Sequence, residues 1–203
     1  MTVTDSHPPV TVVPANEATC EDLEQVFGRR GPASRCRCQR YKLQRRESFG
    51  SVPVEERAWR LHEQTDCGQP GSSTTSGLVA FLDEEPVGWC AVEPRSAYDG
   101  LVRVFRVPWE GRDEDKTDET VWAVTCLLTR AGFRRRGVSG ALAQAAVAFA
   151  RDRGARALEA YPMVRTDVIS EELHVGTVGV FVAAGLTEVS RPTPRRAVMR
   201  IDF

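Results

Sequence analysis

The chain has 203 residues, 41% of them hydrophobic, and 27 basic against 28 acidic residues leave a net charge of −1. That supplies the core of one ordinary domain, here taken as residues 1–203, and the balanced charge argues against a dedicated nucleic-acid domain. No run of 18 apolar residues or signal leader is visible, and six cysteines are too sparse for a disulfide scaffold, so a cytoplasmic protein with all six thiols free is expected.

Residues 1–9 read as a flexible tail and Val10–Val13 as a short strand. Thr19 offers an N-cap to a helix that carries Leu23, Val26 and Phe27 and stops at Gly28. Residues 29–46 hold eight basic residues and no acidic one. Such a stretch attracts an acidic substrate, an anionic surface or nucleic acid, but with one aromatic, Tyr41, it lacks stacking partners. The simpler expectation is a solvated helix whose arginines face water or an acidic loop. Cys36-Arg37-Cys38 has no second Cys/His pair at finger-like spacing, and His62 and Cys67 could join a site only by folding, so no metal is expected. Cationic neighbours would nevertheless lower a thiol pKa there.

Pro53–Gln64 reads as a helix with Pro53 in its first turn, Glu55 and Glu56 at its positive end, and Val54, Ala58 and Leu61 on its buried face. Gln69–Ser76 is a loop. Leu78–Leu82, a turn at Asp83–Pro86 and Val87–Val92 form a hairpin. The run from Glu110 to Glu119 carries six acidic and two basic residues; it reads as an exposed loop able to screen the arginine stretch.

Val121–Leu128 is a β-rich strand with Trp122, Val124, Cys126 and Leu128 expected on one face; both faces are apolar, so it should be central. Arg134, Arg135, Arg136 and Gly137 form a turn, after which Val138 or Ser139 opens a helix carrying Leu142, Ala146, Phe149 and Ala150, with Gly154 as its stop. The unpaired N–H groups of such a helix start, flanked by three arginines, suit an anion such as a diphosphate. Ala155–Tyr161 is the next strand, residues 162–173 a polar connection, and Ala197–Ile201 a closing strand.

The turn RRRGVS fits R-x-x-G-x-[GA] except that Ser139 replaces glycine or alanine. CLLTRAGFRRRGVSGAL resembles the strand, loop and helix that bind acetyl-CoA in the GCN5-related N-acetyltransferases (GNAT), and HVGTVGVFVAAGLTEV, from His174 to Val189, resembles their last helix and strand. The resemblance is clear from about Gly77 onward. It implies an α/β fold with a central mixed, largely antiparallel sheet flanked by helices and a V-shaped CoA groove. The backbone of Arg134, Arg135, Arg136, Gly137, Val138, Ser139 and Gly140 would cradle the pyrophosphate, and that of Leu127, Leu128 and Thr129 would pair with the pantetheine arm. A tyrosine often stands where this chain has Phe181, which cannot donate a proton, and an asparagine where it has His174.

The activity implied is acetyl transfer from acetyl-CoA, as co-substrate without metal, to a primary amine of a small molecule or peptide. Direct attack would need a general base: Glu93, at the end of the hairpin, and Glu159 compete for that role, with Tyr161 as acceptor guide or proton donor. Leu127 or Leu128 N–H would steady the oxyanion. Cys126 as a covalent nucleophile is disfavoured because its face is buried. An acyl-CoA sensor with little turnover is the alternative, a membrane role is not expected, and an exposed sheet edge near the C-terminus would permit a homodimer.

Overall fold

The computed structural model describes residues 9–165, 167–169 and 172–203; the tail expected at 1–9 lies, but for its last residue, outside the described residues. Seven strands, β1 (Val10–Pro14), β2 (Gly77–Leu82), β3 (Glu85–Pro94), β4 (Val121–Thr129), β5 (Ala157–Ala160), β6 (Thr187–Thr193) and β7 (Arg196–Asp202), form one sheet in the order β1-β2-β3-β4-β5-β7-β6. Every neighbouring pair is antiparallel except β4 with β5. That parallel pair requires a crossover, supplied by the long helix α5 (Val138–Asp152). Helices α1 (Cys20–Phe27), α2 (Pro32–Cys36), α3 (Val54–Thr65), α4 (Asp99–Val104) and α6 (Val178–Ala183) complete the set. This is the expected α/β architecture. No helix among the described residues is long and apolar enough to cross a membrane.

Local signals explain most boundaries. Thr19 and Asp22 form a reciprocal capping box at the start of α1, and Gly28 ends it with a left-handed backbone, φ 67°. Leu142, Ala146 and Ala150 recur one turn apart along α5 and are fully buried against the sheet. Val138 and Leu142 sit so close to β3 that a Cβ on Gly88 would fall 2.6 Å from Val138 Cγ1 and 3.0 Å from Leu142 Cδ1. Glycine at 88 therefore sets how closely the start of α5 approaches the sheet.

Several expectations are corrected. First, β4 does not keep Trp122, Val124, Cys126 and Leu128 on one face. Val92 pairs with Val124 but Ala91 pairs with Cys126, so Thr125 is an extra residue, a β-bulge. The bulge swaps the faces: Trp122, Val124 and Leu127 join the core under α5, whereas Cys126 and Leu128 join the opposite core with Trp89, Val26 and Leu61. Second, α3 buries Arg57, Leu61 and Thr65 rather than Val54 and Ala58, and Pro53 caps the helix instead of lying in it. Arg57 stacks its guanidinium 4.1 Å from the Phe49 ring centroid. Third, residues 29–46 are not one solvated helix: α2 is short, and the chain then folds back, burying Arg37, Gln39 and Tyr41. Fourth, not all cysteines are free, because Cys20 and Cys67 form a disulfide with Cα atoms 5.1 Å apart. A separation of 47 positions hides such a pair from sequence reading.

The turn of the first hairpin is also tighter than expected, with β3 starting at Glu85 and Asp83 left-handed at φ 54°. Gly88→Val should push α5 off β3 and lower stability by about 1–3 kcal/mol, as overpacking does. Thermal denaturation against the parent protein measures it; an unchanged midpoint would mean that the helix start is not seated on Gly88.

Candidate active site

Pairing between β4 and β5 stops at Val124 with Ala160, yet β4 runs on to Thr129. Past Val124, therefore, β4 has strand β3 on one side and no strand on the other among the described residues. Leu127, Leu128 and Thr129 lie in this overhang. Its end meets the start of α5, where Thr129 Oγ1 and Ser139 Oγ are 3.1 Å apart.

The turn into α5 is built for exposed N–H groups. Arg135 and Gly137 both take left-handed backbone, φ 64° and 81°, and Gly137 occupies the N-cap. No side chain caps the first turn, so the N–H groups of Val138, Ser139 and Gly140 are left to an outside partner. Arg134, Arg135 and Arg136 are exposed around it. Concentrated donors, a helix dipole and three cations are features that suit an anion.

At the other end of the overhang, the chain after α2 returns to the sheet through two successive left-handed residues, Arg37 (φ 49°) and Cys38 (φ 56°). Neither is glycine, so the turn is strained. Arg37 is held by Ser34 O at 2.9 Å and Glu24 Oε2 at 2.8 Å. Cys38 packs in the same core cluster as Cys126 and Trp89. A hydrogen bond from the Cys126 thiol, helped by Trp89 and Lys42, holds Cys38 below the ordinary thiol range despite burial. The same bond and burial push Cys126 well above it, which makes Cys126 a poor nucleophile.

Lys42 forms a close ion pair with Glu93 at the end of β3, and both side chains are largely buried. Burial raises the Glu93 pKa; the Lys42 charge pulls the other way without cancelling the effect. The Lys42 ammonium also lies 5.1 Å from the Tyr98 ring centroid. Tyr41 stacks on His174, ring centroids 6.1 Å apart. Sequence reading singled out Glu93 but missed Lys42, which nothing distinguishes within a stretch of eight basic residues.

Glu159 occupies a different environment. Its side chain is wholly buried and accepts from Arg112 at 2.5 Å, Arg200 at 2.9 Å and Arg95 at 3.1 Å, while the Tyr161 hydroxyl donates to it at 2.9 Å. Burial alone would raise this carboxyl, but Arg112, Arg95 and Tyr161 outweigh it and hold the pKa below the ordinary range. Burial first, and the Glu159 charge second, push Tyr161 well above its usual value. Glu114 reaches into the same cluster, pairing with Arg95 at 3.1 Å and Arg112 at 2.8 Å. The acidic run at 110–119 thus turns one carboxylate inward onto buried arginines, and no ion pair to the 29–46 stretch occurs among the described residues. Phe181, where the family resemblance implies a tyrosine, is buried in the core under α5.

A family model described as Acetyltransferase (GNAT) family matches residues 39–174. The chain belongs to this family. The match begins well before Gly77, so the turn that carries Tyr41 and Lys42 is part of the GNAT domain. Solved structures agree in fold. A GCN5-related N-acetyltransferase from Kribbella flavida superposes with TM-score 0.55 at 16% identity, covering 96% of this chain and 98% of that one. PaiA N-acetyltransferase from Thermoplasma acidophilum, in complex with coenzyme A, gives 0.54 at 13%, covering 96% and 99%. The protein yncA from Salmonella typhimurium, with its cofactor acetyl-CoA, gives 0.53 at 10%, covering 95% and 93%. No curated protein matches the sequence significantly. As a GNAT member the chain is an N-acetyltransferase, using an acyl-CoA donor.

Glu159→Gln should remove about 3–5 kcal/mol, because three guanidiniums lose their central charge in the interior. Since the folded pKa is depressed, the contribution is complete above the unfolded value of about 4.3 and is lost as pH falls through the folded value. Urea denaturation at a series of pH values should show the gap between parent and variant closing below about pH 4. A constant gap would mean that Glu159 ionisation does not contribute.

Proposed function

We propose that the chain, as one N-acetyltransferase domain over residues 1–203, moves an acetyl group from acetyl-CoA to a primary amine of a small molecule or peptide, by direct attack. The observation that carries this is the continuity of the β4 overhang with the uncapped start of α5. One edge offers strand-like backbone to an amide-containing arm, and its end offers bare N–H groups and arginines to a diphosphate. These residues fit acetyl-CoA: Leu127, Leu128 and Thr129 for the pantetheine, and Arg134 to Gly140 for the phosphates. The groove is the opening between β4 and β5 beyond Val124.

Glu93, rather than Glu159, is the base in this reading. A carboxylate ringed by arginines is weakly basic, whereas burial makes Glu93 a stronger base than a free carboxylate. Glu93 takes the amine proton, directly or through a water, as nitrogen attacks the thioester carbonyl. Backbone N–H groups of the overhang, those of Leu127 and Leu128 among them, steady the oxyanion. Tyr161, committed to Glu159 at 2.9 Å, positions β5 instead of protonating the thiolate. A thiolate with a pKa near ~8.5 leaves without help, so Phe181 is compatible with turnover. The cytoplasm is the compartment that suits this chemistry, and the exposed β6 edge leaves a homodimer open.

Gly137→Asp should weaken acetyl-CoA binding by about 100-fold or more, since it sets negative charge where the phosphates are held and strains a left-handed residue. Calorimetric titration measures this, and an untouched affinity would displace the site. Glu93→Gln should lower kcat by ~10²–10⁴ with acetyl-CoA affinity kept. Lys42→Ala removes the charge that opposes the rise of the Glu93 pKa, so the ascending limb of the pH–rate profile should move to higher pH. A limb that stays in place, or a Glu93→Gln enzyme at parental rate, would remove Glu93 from the chemistry.

A further inference from the structure

Cys20 opens α1, and Glu24 stands one turn later on the same face. His62 lies in the last turn of α3, and Cys67 follows just beyond Asp66, the left-handed residue that ends that helix. Folding brings ligand atoms of Cys20, His62 and Cys67 within 4.8 Å of one another. His62 Nε2 is 3.0 Å from Glu24 Oε1. The other Glu24 oxygen, Oε2, is held by Arg37 at 2.8 Å.

A disulfide requires neither an imidazole nor a carboxylate beside it. Two thiols and an imidazole gathered within 4.8 Å, with a carboxylate 3.0 Å from that imidazole, are by contrast donors that zinc takes, and a tetrahedral ion with bonds of ~2.0–2.3 Å spaces its ligand atoms roughly 3.5 Å apart. We propose that Cys20, His62 and Cys67, completed by Glu24, form a redox-gated zinc site, filled when the two thiols are reduced and closed when they join as the disulfide. Opening the site takes a dithiol reductant: it gives two electrons and two protons to the S–S bond, which becomes two thiols, and itself leaves as a disulfide. Zinc then binds both sulfurs as thiolates and releases their protons to solvent. Arg37, on the second oxygen of Glu24, orients that carboxylate toward the metal as an outer partner. In either state α1 is tied to α3, so the site fixes one side of the core that carries Trp89 and Cys126.

The test uses the full chain and needs no transfer activity. Protein reduced with a phosphine is loaded with zinc chloride, desalted and analysed for bound metal; cobalt chloride in its place reports thiolate ligation by charge-transfer absorption. We expect about one equivalent of zinc on reduced protein and none on oxidised protein. Cys67→Ser and His62→Ala should each weaken zinc binding at least tenfold, while Cys36→Ser/Cys38→Ser, which leaves the site intact, should keep it. His62→Ala preserves the disulfide, so an unchanged melting midpoint in its oxidised form shows that the fold survives the substitution. Substoichiometric zinc on the reduced parent, zinc retained by Cys67→Ser, or cobalt bound without a thiolate band would each overturn the proposal.

Discussion

The position of Thr125 constrains more of this molecule than any other. β4 lies between an antiparallel neighbour and a parallel one, and an extra residue cannot be accommodated in both ladders. On the β3 side the ladder resumes after the bulge, Ala91 with Cys126. On the β5 side it has already ended at Val124. The overhang that follows is backbone with hydrogen-bonding capacity on one edge, and such groups demand a partner. The bulge also rotates the strand, so Leu127 points under α5 and Cys126 toward Cys38. One inserted residue thereby separates the unpaired edge of β4 from the surface on which Lys42 and Glu93 sit.

Two carboxylates end up on adjacent parts of the sheet with opposite character. Glu93 pairs with one lysine and lies partly within reach of solvent, whereas Glu159 has no exposure and three guanidiniums. Coulomb attraction decides between them: a single cation does not offset burial at Glu93, whereas several do at Glu159. The Glu159 cluster joins β5, β7, the residue after β3 and the loop before β4 through Arg200, Arg95 and Arg112. A buried charge of this kind adds little to net stability relative to apolar packing, but its directionality fixes partners. Here it fixes how the 110–119 loop closes over the base of the β4–β5 pair.

What the sequence makes legible follows the range of the interactions. The Thr19 cap, the stop at Gly28, the α5 stripe of Leu142, Ala146 and Ala150, and the Gly137 turn are all set by residues within one or two turns of each other. They are read correctly. The bulge at Thr125 is not legible, since both faces of β4 are apolar and a slip by one residue leaves the pattern unchanged. Nor are the arginine partners of Glu159, the lysine on Glu93 and the thiol on Cys20, which come from 41 to 64, 51 and 47 positions away. The acidic run misleads for the same reason: composition says that it is polar, but not that Glu114 turns inward.

The N-terminal third matters through the turn at Arg37 and Cys38. Two consecutive left-handed non-glycine residues cost about 1–2 kcal/mol each, more than the local hydrogen bond from Arg37 to Ser34 O repays. The compensation comes from tertiary contacts: Glu24 on Arg37, Gln64 on Gln39 at 2.9 Å, and the Cys126 face of β4 under Cys38. Each of those partners belongs to an element fixed by something else, with α1 and α3 tied through Cys20 and Cys67 and β4 by its ladder. The turn is therefore held from three sides and delivers Lys42 to Glu93 four residues after Cys38. A glycine at Arg37 would relieve the strain locally, yet it would also surrender the guanidinium that ties the turn to α1. Strain at this point is accordingly the cost of directing a charged side chain into a largely buried site, and the fold meets it through contacts distant in sequence.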